Sequence, residues 1–179
     1  MIVFNLSHEK VLDSLKASLE KDNLSELYVN LDNETPSNVK EVFSVSYFDH
    51  ILTEDEYMNE QFVCYANIVE LNDKYFDEKF TTIANEFLYI YQRLFDLNDG
   101  FVYIDANTSI IKTKNSAVYA RHIINGLKER PTCCLVFQNL KLVVDLGFDL
   151  THCFYCLDDS KIKQIKEMIL STNLFILQP

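Results

Sequence analysis

Glycine and proline, the residues that most strongly mark turns and loops, are scarce in this chain. Its 179 residues include only 3 Gly, 3 Pro and no Trp. Three glycines cannot build a glycine-rich phosphate-binding loop, and so few turn formers leave little room for long loops or linkers. The longest apolar runs are far shorter than the roughly 18 residues that a membrane-spanning helix needs. The composition therefore argues against a nucleotide-binding loop and against a membrane protein.

Features of secreted proteins are also missing. The N-terminal sequence MIVFNLSHEK has neither the basic stretch nor the long apolar stretch of a secretory signal, so we expect a cytoplasmic protein. The chain has an odd number of cysteines and a hydrophobic content of 48%, enough for a core without disulfides. These cysteines are Cys64, Cys133, Cys134, Cys153 and Cys156.

Basic residues are sparse in the first half of the chain. Residues 1–100 contain 20 Asp and Glu against 7 Lys and Arg, and the whole chain carries a formal charge of -11. This charge disfavours direct binding to nucleic acid or to an anionic membrane. Residues 41–73, here called the acidic segment, contain no Lys or Arg. The segment is either a solvated face that aids solubility or a surface for a cationic partner. The predicted partner-binding residues are Asp49, Glu54, Asp55, Glu56, Glu60 and Glu70.

The centre of the predicted fold is the stretch from residue 132 to residue 158. It contains apolar runs at Cys133–Phe137, Leu140–Leu146 and Leu150–Leu157, rich in the residue types that favour strands. The breaks at 138–139 and 147–149 have the lengths of hairpin loops, so neighbouring strands should be antiparallel. We expect this stretch to form the middle of the sheet.

Helical periodicity is clearest at residues 73–95, where a wide apolar stripe predicts a helix packed on the sheet. Thr53 and Glu56 form a T-x-x-E capping box, which predicts a short helix through about residue 60. Further helices are predicted at 7–21, 35–47, 115–128 and 159–170, and strands at 1–6, 24–31, 62–69, 101–105, 109–112 and 174–177. The β-branched residues within 39–45 leave a strand open there. The predicted architecture is a single α+β domain over residues 1–179, with a seam near 107–109.

The most conspicuous chemical motif is the C-x-x-C formed by Cys153 and Cys156. A redox-active C-x-x-C normally lies at a helix N-terminus, whereas this one lies inside a predicted strand. Side chains alternate along a strand, so these two thiols should point to opposite faces and cannot share a metal ion or a disulfide. A zinc site built across strands from Cys134, His152 and another thiol remains an alternative. The simpler interpretation is that the cysteines are core residues.

Catalytic signatures are otherwise lacking. The histidines are scattered at His8, His50, His122 and His152, and none has the spacing of a nucleophile–base pair. We therefore predict no catalytic residue, no cofactor, no metal and no enzymatic activity. Association is the remaining role, because sheet edges and exposed aromatic residues both favour protein binding.

A small, acidic, Gly-poor chain rich in Phe, Tyr and Asn resembles the immunity proteins of bacterial polymorphic toxin systems, in particular those of contact-dependent growth inhibition. The C-terminal sequence VVDLGFDLTHCFYC, followed by a helix and LFIL, is similar to the ending of many of them. The resemblance covers only this C-terminal part of the chain. It implies an inhibitor that neutralises one cognate toxin domain, usually a nuclease; some members of the group are bound through a toxin β-hairpin that extends their sheet.

The resulting hypothesis is a cytoplasmic immunity protein that binds a basic toxin domain and blocks its substrate site. Acidic side chains would occupy the positions of the substrate's phosphates. The alternatives are a general regulatory adaptor and a thiol- or zinc-dependent enzyme.

Overall fold

The computed structural model describes residues 38–59, 63–105 and 110–178. The strands are β1 (Glu41–Ser46), β2 (Val102–Asp105), β3 (Ile110–Thr113), β4 (Cys134–Phe137), β5 (Leu142–Asp145), β6 (Thr151–Cys156) and β7 (Phe175–Leu177). The helices are α1 (Glu54–Asn59), α2 (Tyr65–Leu71), α3 (Lys74–Leu97), α4 (Ser116–Leu127) and α5 (Asp159–Leu170). The predicted α+β class is confirmed.

The strands form one sheet in the order β3-β2-β4-β5-β6-β1-β7, and all of its neighbours pair antiparallel. β4, β5 and β6 are consecutive neighbours at its centre, as the hairpin-length breaks predict. β1 lies between β6 and β7, so a strand distant in sequence completes that side of the sheet. This insertion brings the acidic segment next to the turn that joins β5 to β6.

The main core lies between one face of the sheet, here called the first face, and the helices. Phe87 and Leu94 of α3 are completely buried there, together with Phe154 of β6. Ile123 of α4 and Ile165 of α5 are also fully buried in this core. Complete burial of a large apolar side chain contributes about 1.5–3 kcal/mol, so this layer is the main source of stability.

The opposite side of the sheet, here called the second face, holds a smaller apolar cluster. Tyr103, Cys134, Val136 and Val143 are buried in this cluster, on neighbouring strands β2, β4 and β5. Val39, just before β1, packs against the same cluster. The second face is therefore closed over β2, β4 and β5.

Side-chain caps stabilise the starts of three helices. Asp73 Oδ1 accepts a hydrogen bond from the Tyr75 amide at 2.7 Å at the start of α3, and Asn115 Oδ1 accepts from two amides of α4. Asp158 Oδ1 accepts from the Ser160 amide at 2.9 Å at the start of α5. An N-cap of this kind is worth about 1 kcal/mol.

Two predicted elements are wrong. The helix predicted at 35–47 is replaced from residue 41 onward by β1, because Phe43 and Val45 alternate in burial with Ser44 and the strand gains partners on both sides. The strand predicted at 62–69 is instead helix α2, capped by Cys64, whose Sγ accepts from the Asn67 amide at 3.5 Å. Cys64 and Ile68 are buried four residues apart, which is helical spacing within a short apolar run.

The hairpin predicted from 101–105 and 109–112 is present as β2 and β3, and the closing strand is β7. The elements predicted at 1–6, 7–21 and 24–31 lie outside the described residues, as does the seam near 107–109.

Candidate functional site

The C-x-x-C cysteines lie on opposite faces of the sheet, as strand alternation predicts. Cys156 is buried on the first face, whereas Cys153 is half-buried on the second face, where Ser44 Oγ lies 3.4 Å from its Sγ. Cys134 also lies on the second face, whereas His152 packs on the first face against α3. The zinc alternative with Cys134 and His152 is therefore wrong, because the sheet separates the two ligands.

His152 is a neutral core residue. Its ring lies 4.3 Å from the Phe87 ring, and its Nδ1 lies 2.6 Å from Tyr91 Oη. Burial lowers the pKa of His152 to about 3, so the imidazole is uncharged at neutral pH. Burial also raises the pKa of the Cys156 thiol to about 12, which keeps it protonated and unreactive. Within the described ranges, no group of three or more His, Cys, Asp or Glu side chains could hold a metal ion.

Asp105, at the end of β2, is a buried carboxyl group on the second face. Its Oδ1 has no hydrogen-bond partner in the described part of the chain. Burial, followed by the charge of Asp145, raises the pKa of Asp105 to about 7. In register across the strands, Asp105 lies beside Cys134, and Cys134 beside Asp145. These three residues form a polar row across the closed part of the second face. The carboxyl group of Asp105 is partly protonated at neutral pH.

The predicted partner-binding residues lie on several elements. Asp49 is exposed after β1, Glu54 and Asp55 are exposed in the first turn of α1, and Glu70 is exposed in α2. Glu60 lies outside the described residues. The structure thus places Asp49, Glu54 and Asp55 on β1–α1, and Glu70 on a different helix.

Glu56 has a structural role that limits its use in binding. Its Oε2 accepts hydrogen bonds from Thr53 N at 2.8 Å and from Thr53 Oγ1 at 2.7 Å, and the Thr53 hydroxyl accepts from the Glu56 amide. The predicted capping box is therefore present. These bonds from Thr53, with a further contribution from His50, lower the pKa of Glu56 to about 2.

His50 links two of the acidic residues. Its Nδ1 lies 2.6 Å from Asp49 Oδ1, and its Nε2 lies 3.1 Å from Glu56 Oε1. The hydrogen bond with Asp49, followed by that with Glu56, raises the pKa of His50 above its ordinary value. The imidazole therefore gains a proton at a higher pH than a free histidine does, and it then offsets part of the local negative charge.

Beside this His50 cluster, the protein has an open cavity of about 320 Å³. The cavity is here called the β1–α1 pocket, because most of its walls come from the end of β1, the following connection and α1. The remaining walls come from the β5–β6 turn, β6 and β7. It is lined by Ser44, Phe48, His50, Ile51, Leu52, Tyr57, Phe148, Asp149, Thr151 and Leu177.

The floor of the β1–α1 pocket is the β6–β1–β7 side of the second face. Ser44 pairs in register with Leu177 of β7, and Thr151 pairs with Ser46. The hydroxyls of Ser46 and Thr151 lie 2.8 Å apart and satisfy each other. The second face is thus closed over β2, β4 and β5 and forms an open pocket at its other side.

The rim of the pocket is apolar and exposed. Ile51, Tyr57 and Phe148 keep 60%, 50% and 64% of their surface accessible, and Phe175 of the adjoining strand β7 keeps 44%. Single exposed apolar residues are ordinary, but a group of them around one cavity is typical of a binding surface. The β1–α1 pocket is therefore the strongest candidate site in the described structure.

The β5–β6 turn that presents Phe148 and Asp149 is tightly constrained. Asp149 and Leu150 both have left-handed backbone angles, with φ of 54° and 53°. This conformation costs roughly 1–2 kcal/mol for a residue such as Leu. At Gly147, an added Cβ would lie 2.5 Å from the Thr151 carbonyl oxygen, so only glycine fits. Strained conformations of this kind persist where the surroundings enforce them, often at functional sites.

Two hydrogen bonds hold Asp149 in place. Its amide donates to Glu129 Oε1 at 3.0 Å, and Tyr57 Oη donates to its Oδ2 at 3.2 Å. Burial raises the pKa of the Asp149 carboxyl, and the charge of that carboxyl in turn raises the pKa of Tyr57. Asp149 is thus a partly desolvated carboxylate fixed among apolar side chains.

Sequence reasoning missed this pocket. Gly147, Phe148 and Asp149 were predicted only as a hairpin break, and His50 only as one of several scattered histidines. The available signal was Phe148, because a large aromatic residue inside a tight turn cannot reach the core of the sheet. Ser44, Tyr57 and Leu177 gave no such signal, since their proximity depends on the insertion of β1 between β6 and β7.

Comparisons with protein-family models, curated proteins and solved structures found no significant match. In residues 38–59, 63–105 and 110–178, no helix is both long and apolar enough to cross a membrane.

Proposed function

We propose that this chain is a cytoplasmic immunity protein that binds one cognate cationic toxin domain, a nuclease, and covers its substrate site. The observation that best supports this function is the β1–α1 pocket, an apolar cavity with acidic side chains beside it. Among the described residues that line it, none is a lysine or an arginine. A surface of this kind suits a protein partner that offers both apolar and basic side chains.

The apolar rim would supply most of the affinity. A few well-packed aromatic and apolar residues dominate most protein interfaces, and Ile51, Tyr57 and Phe148 are exposed around one cavity. Asp49, Glu54 and Asp55 would act mainly on the association rate, because surface charges steer an oppositely charged partner toward the site. On the toxin, these carboxylates would lie where the phosphates of its nucleic-acid substrate bind.

The proposed function predicts that a large secreted protein with a basic C-terminal domain is encoded immediately upstream of this chain, and the test uses that domain. We expect a stable complex by isothermal titration calorimetry and loss of the toxin's nuclease activity on a labelled nucleic acid. Phe148→Ser should weaken the complex at least about tenfold, equivalent to about 1.4 kcal/mol. Ile124→Ser, which changes an exposed apolar residue outside the pocket, is the matched control and should bind normally.

Failure of the complex to form, or equal weakening by both variants, would count against this function or this surface. A pull-down that recovers a host protein in place of a toxin domain would favour the regulatory adaptor.

A further inference from the structure

We propose that the β1–α1 pocket holds one arginine side chain of the bound protein, with Asp149 as the counter-charge of the guanidinium group. The proposal rests on the proposed function for the identity of the partner, but the pocket's chemistry can be tested without that partner.

The size of the pocket suits one long side chain. Its volume of about 320 Å³ is at the lower end of ligand sites, which commonly measure roughly 300–1,000 Å³. Ile51, Leu52 and Leu177 supply an aliphatic wall against which the three methylene groups of an arginine would pack. A short acidic or polar side chain would leave this wall uncovered.

The aromatic lining favours a cation that has a flat, weakly hydrated head. Phe48, Tyr57 and Phe148 all line the cavity. A guanidinium group stacks on aromatic rings and loses its hydration more easily than an ammonium group does. These aromatic side chains therefore favour arginine over lysine.

Asp149 supplies a negative charge within the lining of the pocket. Its Oδ2 accepts one hydrogen bond from Tyr57, and among the described residues no lysine or arginine forms an ion pair with it. A carboxylate that is partly removed from water without a cation is unfavourable, and a hydrogen-bonded guanidinium would offset that cost. The constrained β5–β6 turn keeps this carboxylate in one position, which reduces the entropy lost on binding.

The surrounding charges agree with a cationic occupant. Asp49 and Glu56 lie beside the pocket through their hydrogen bonds to His50, and Glu129 bonds the amide of Asp149. Asp49 and Glu56 contact one titratable base, His50, which is uncharged at sufficiently alkaline pH. An anionic side chain in the pocket would therefore be repelled by Asp149 and by the acids beside His50.

The probe for the test is Nα-acetyl-L-arginine N-methylamide, titrated into the 15N-labelled protein at pH 8 and low salt. Its matched control is the citrulline analogue, which has the same shape and no charge. We expect backbone amide shifts at Ser44, Phe148 and Thr151, and at least about tenfold tighter binding of the arginine compound, since a charged hydrogen bond is roughly twice as strong as a neutral one. Equal binding of both compounds, or shifts confined to other surfaces, would overturn the proposal.

The companion variant is Asp149→Asn, which keeps an acceptor for Tyr57 and removes the charge. It should reduce the affinity for the arginine compound to that for citrulline, whereas Asp77→Asn, which alters an exposed acid outside the pocket, should leave it unchanged. An unchanged affinity in a folded Asp149→Asn protein would refute the role of Asp149. The comparison of arginine with citrulline on the unaltered protein decides the matter even if this variant does not fold.

The two proposals fail separately. Binding of the arginine compound without any toxin complex would leave the pocket assignment standing and remove the immunity function. A toxin complex without arginine binding would leave the function standing and remove this occupant.

Discussion

At the scale of single residues, the β5–β6 turn depends on Gly147. Gly147→Ala places a Cβ against the backbone oxygen of Thr151, which cannot move without displacing β6. Gly126→Ala in α4 meets mainly the side chain of Leu146, which can adjust, and alanine also favours a helix by up to about 1 kcal/mol. We expect Gly147→Ala to lower the free energy of unfolding by about 1–3 kcal/mol, more than Gly126→Ala. Urea denaturation of both variants checks this, and equal losses would contradict it.

The buried His152 predicts an acid-dependent loss of stability. Its pKa is about 3 in the folded protein, against an ordinary value of about 6.5, so the unfolded chain binds one more proton between these values. The stability contribution is therefore complete above pH 6.5 and declines as the pH falls toward 3. The slope attributable to this group approaches about 1.4 kcal/mol per pH unit.

The measurement is urea denaturation of the unaltered protein and of His152→Gln between pH 7 and pH 5. His152→Gln should be less stable at pH 7, because it disturbs the contact with Tyr91, but its stability should fall less steeply with acid. The other histidines titrate in both proteins and cancel in the comparison. Parallel slopes would show that His152 does not titrate differently on folding.

At the scale of elements, helix α1 contains one acid that stabilises the fold and two acids that are exposed to solvent. Glu56 closes the capping box and bonds His50, whereas Glu54 and Asp55 are exposed in the first turn. Given the proposed cationic partner, Glu54→Lys with Asp55→Lys should slow association at low salt by about tenfold. Stopped-flow fluorescence measures the rate.

The control for that experiment is Asp77→Lys with Glu78→Lys, two neighbouring exposed acids of α3 whose replacement gives the same change in charge. Asp77 lies in the first turn of α3, so helix content is compared by circular dichroism before the rates are interpreted. The difference between the α1 variant and the unaltered protein should shrink at high salt, because screening reduces long-range attraction. A rate that is independent of the α1 charges would remove this helix from the binding surface.

Much of the architecture could be predicted where the signal is local. The strands of residues 133–157 and helix α3 follow from short apolar runs, hairpin-length breaks and one long apolar stripe. The errors fall at β1 and α2, where an apolar run is too short to distinguish the two periodicities. Residues 41–46 form a strand because β6 and β7 both pair with them. Residues 65–71 form a helix, and the Cys64 side chain caps its start.

The candidate site could not be predicted in the same way. Ser44, Tyr57, Phe148 and Leu177 lie far apart in sequence and meet only through the strand order. The sequence predicted the capping box of Thr53 and Glu56, but it did not show that His50 also contacts Glu56. It also gave Asp149 no weight, because a carboxylate is informative only once its burial and its neighbours are known.

At the scale of the whole molecule, one part of the second face of the sheet is buried and another part is open to solvent. Tyr103 and Val136 are buried over β2 and β4, whereas the β6–β1–β7 side forms the floor of an open pocket. The insertion of β1 makes this division, because it brings Ser44 and the acidic segment to the β5–β6 turn. The exposed apolar residues of the pocket rim and the acids bonded to His50 thus lie close together, so one partner can contact both.

This arrangement makes binding of a cation to the pocket dependent on pH in a defined direction. The titratable groups that line the pocket are His50, Tyr57 and Asp149, and Asp49 and Glu56 lie beside it through their contacts with His50. Glu129 bonds the Asp149 amide in the β5–β6 turn. The pKa of His50 is raised, so falling pH first places a positive charge on the rim. The pKa of Asp149 is also raised, so further acidification removes the counter-charge earlier than for an ordinary aspartate.

Affinity for the arginine compound should therefore fall in two stages as the pH is lowered, first with His50 and then with Asp149. His50→Gln should abolish the first stage and leave the second, whereas Asp149→Asn should abolish the second along with most of the binding. Amide shift titrations at several pH values measure both stages. His122→Gln, which alters a histidine outside the pocket, should retain both of them. Affinity that rises with acid would mean that the pocket prefers an anion, and it would exclude a cationic side chain as its occupant.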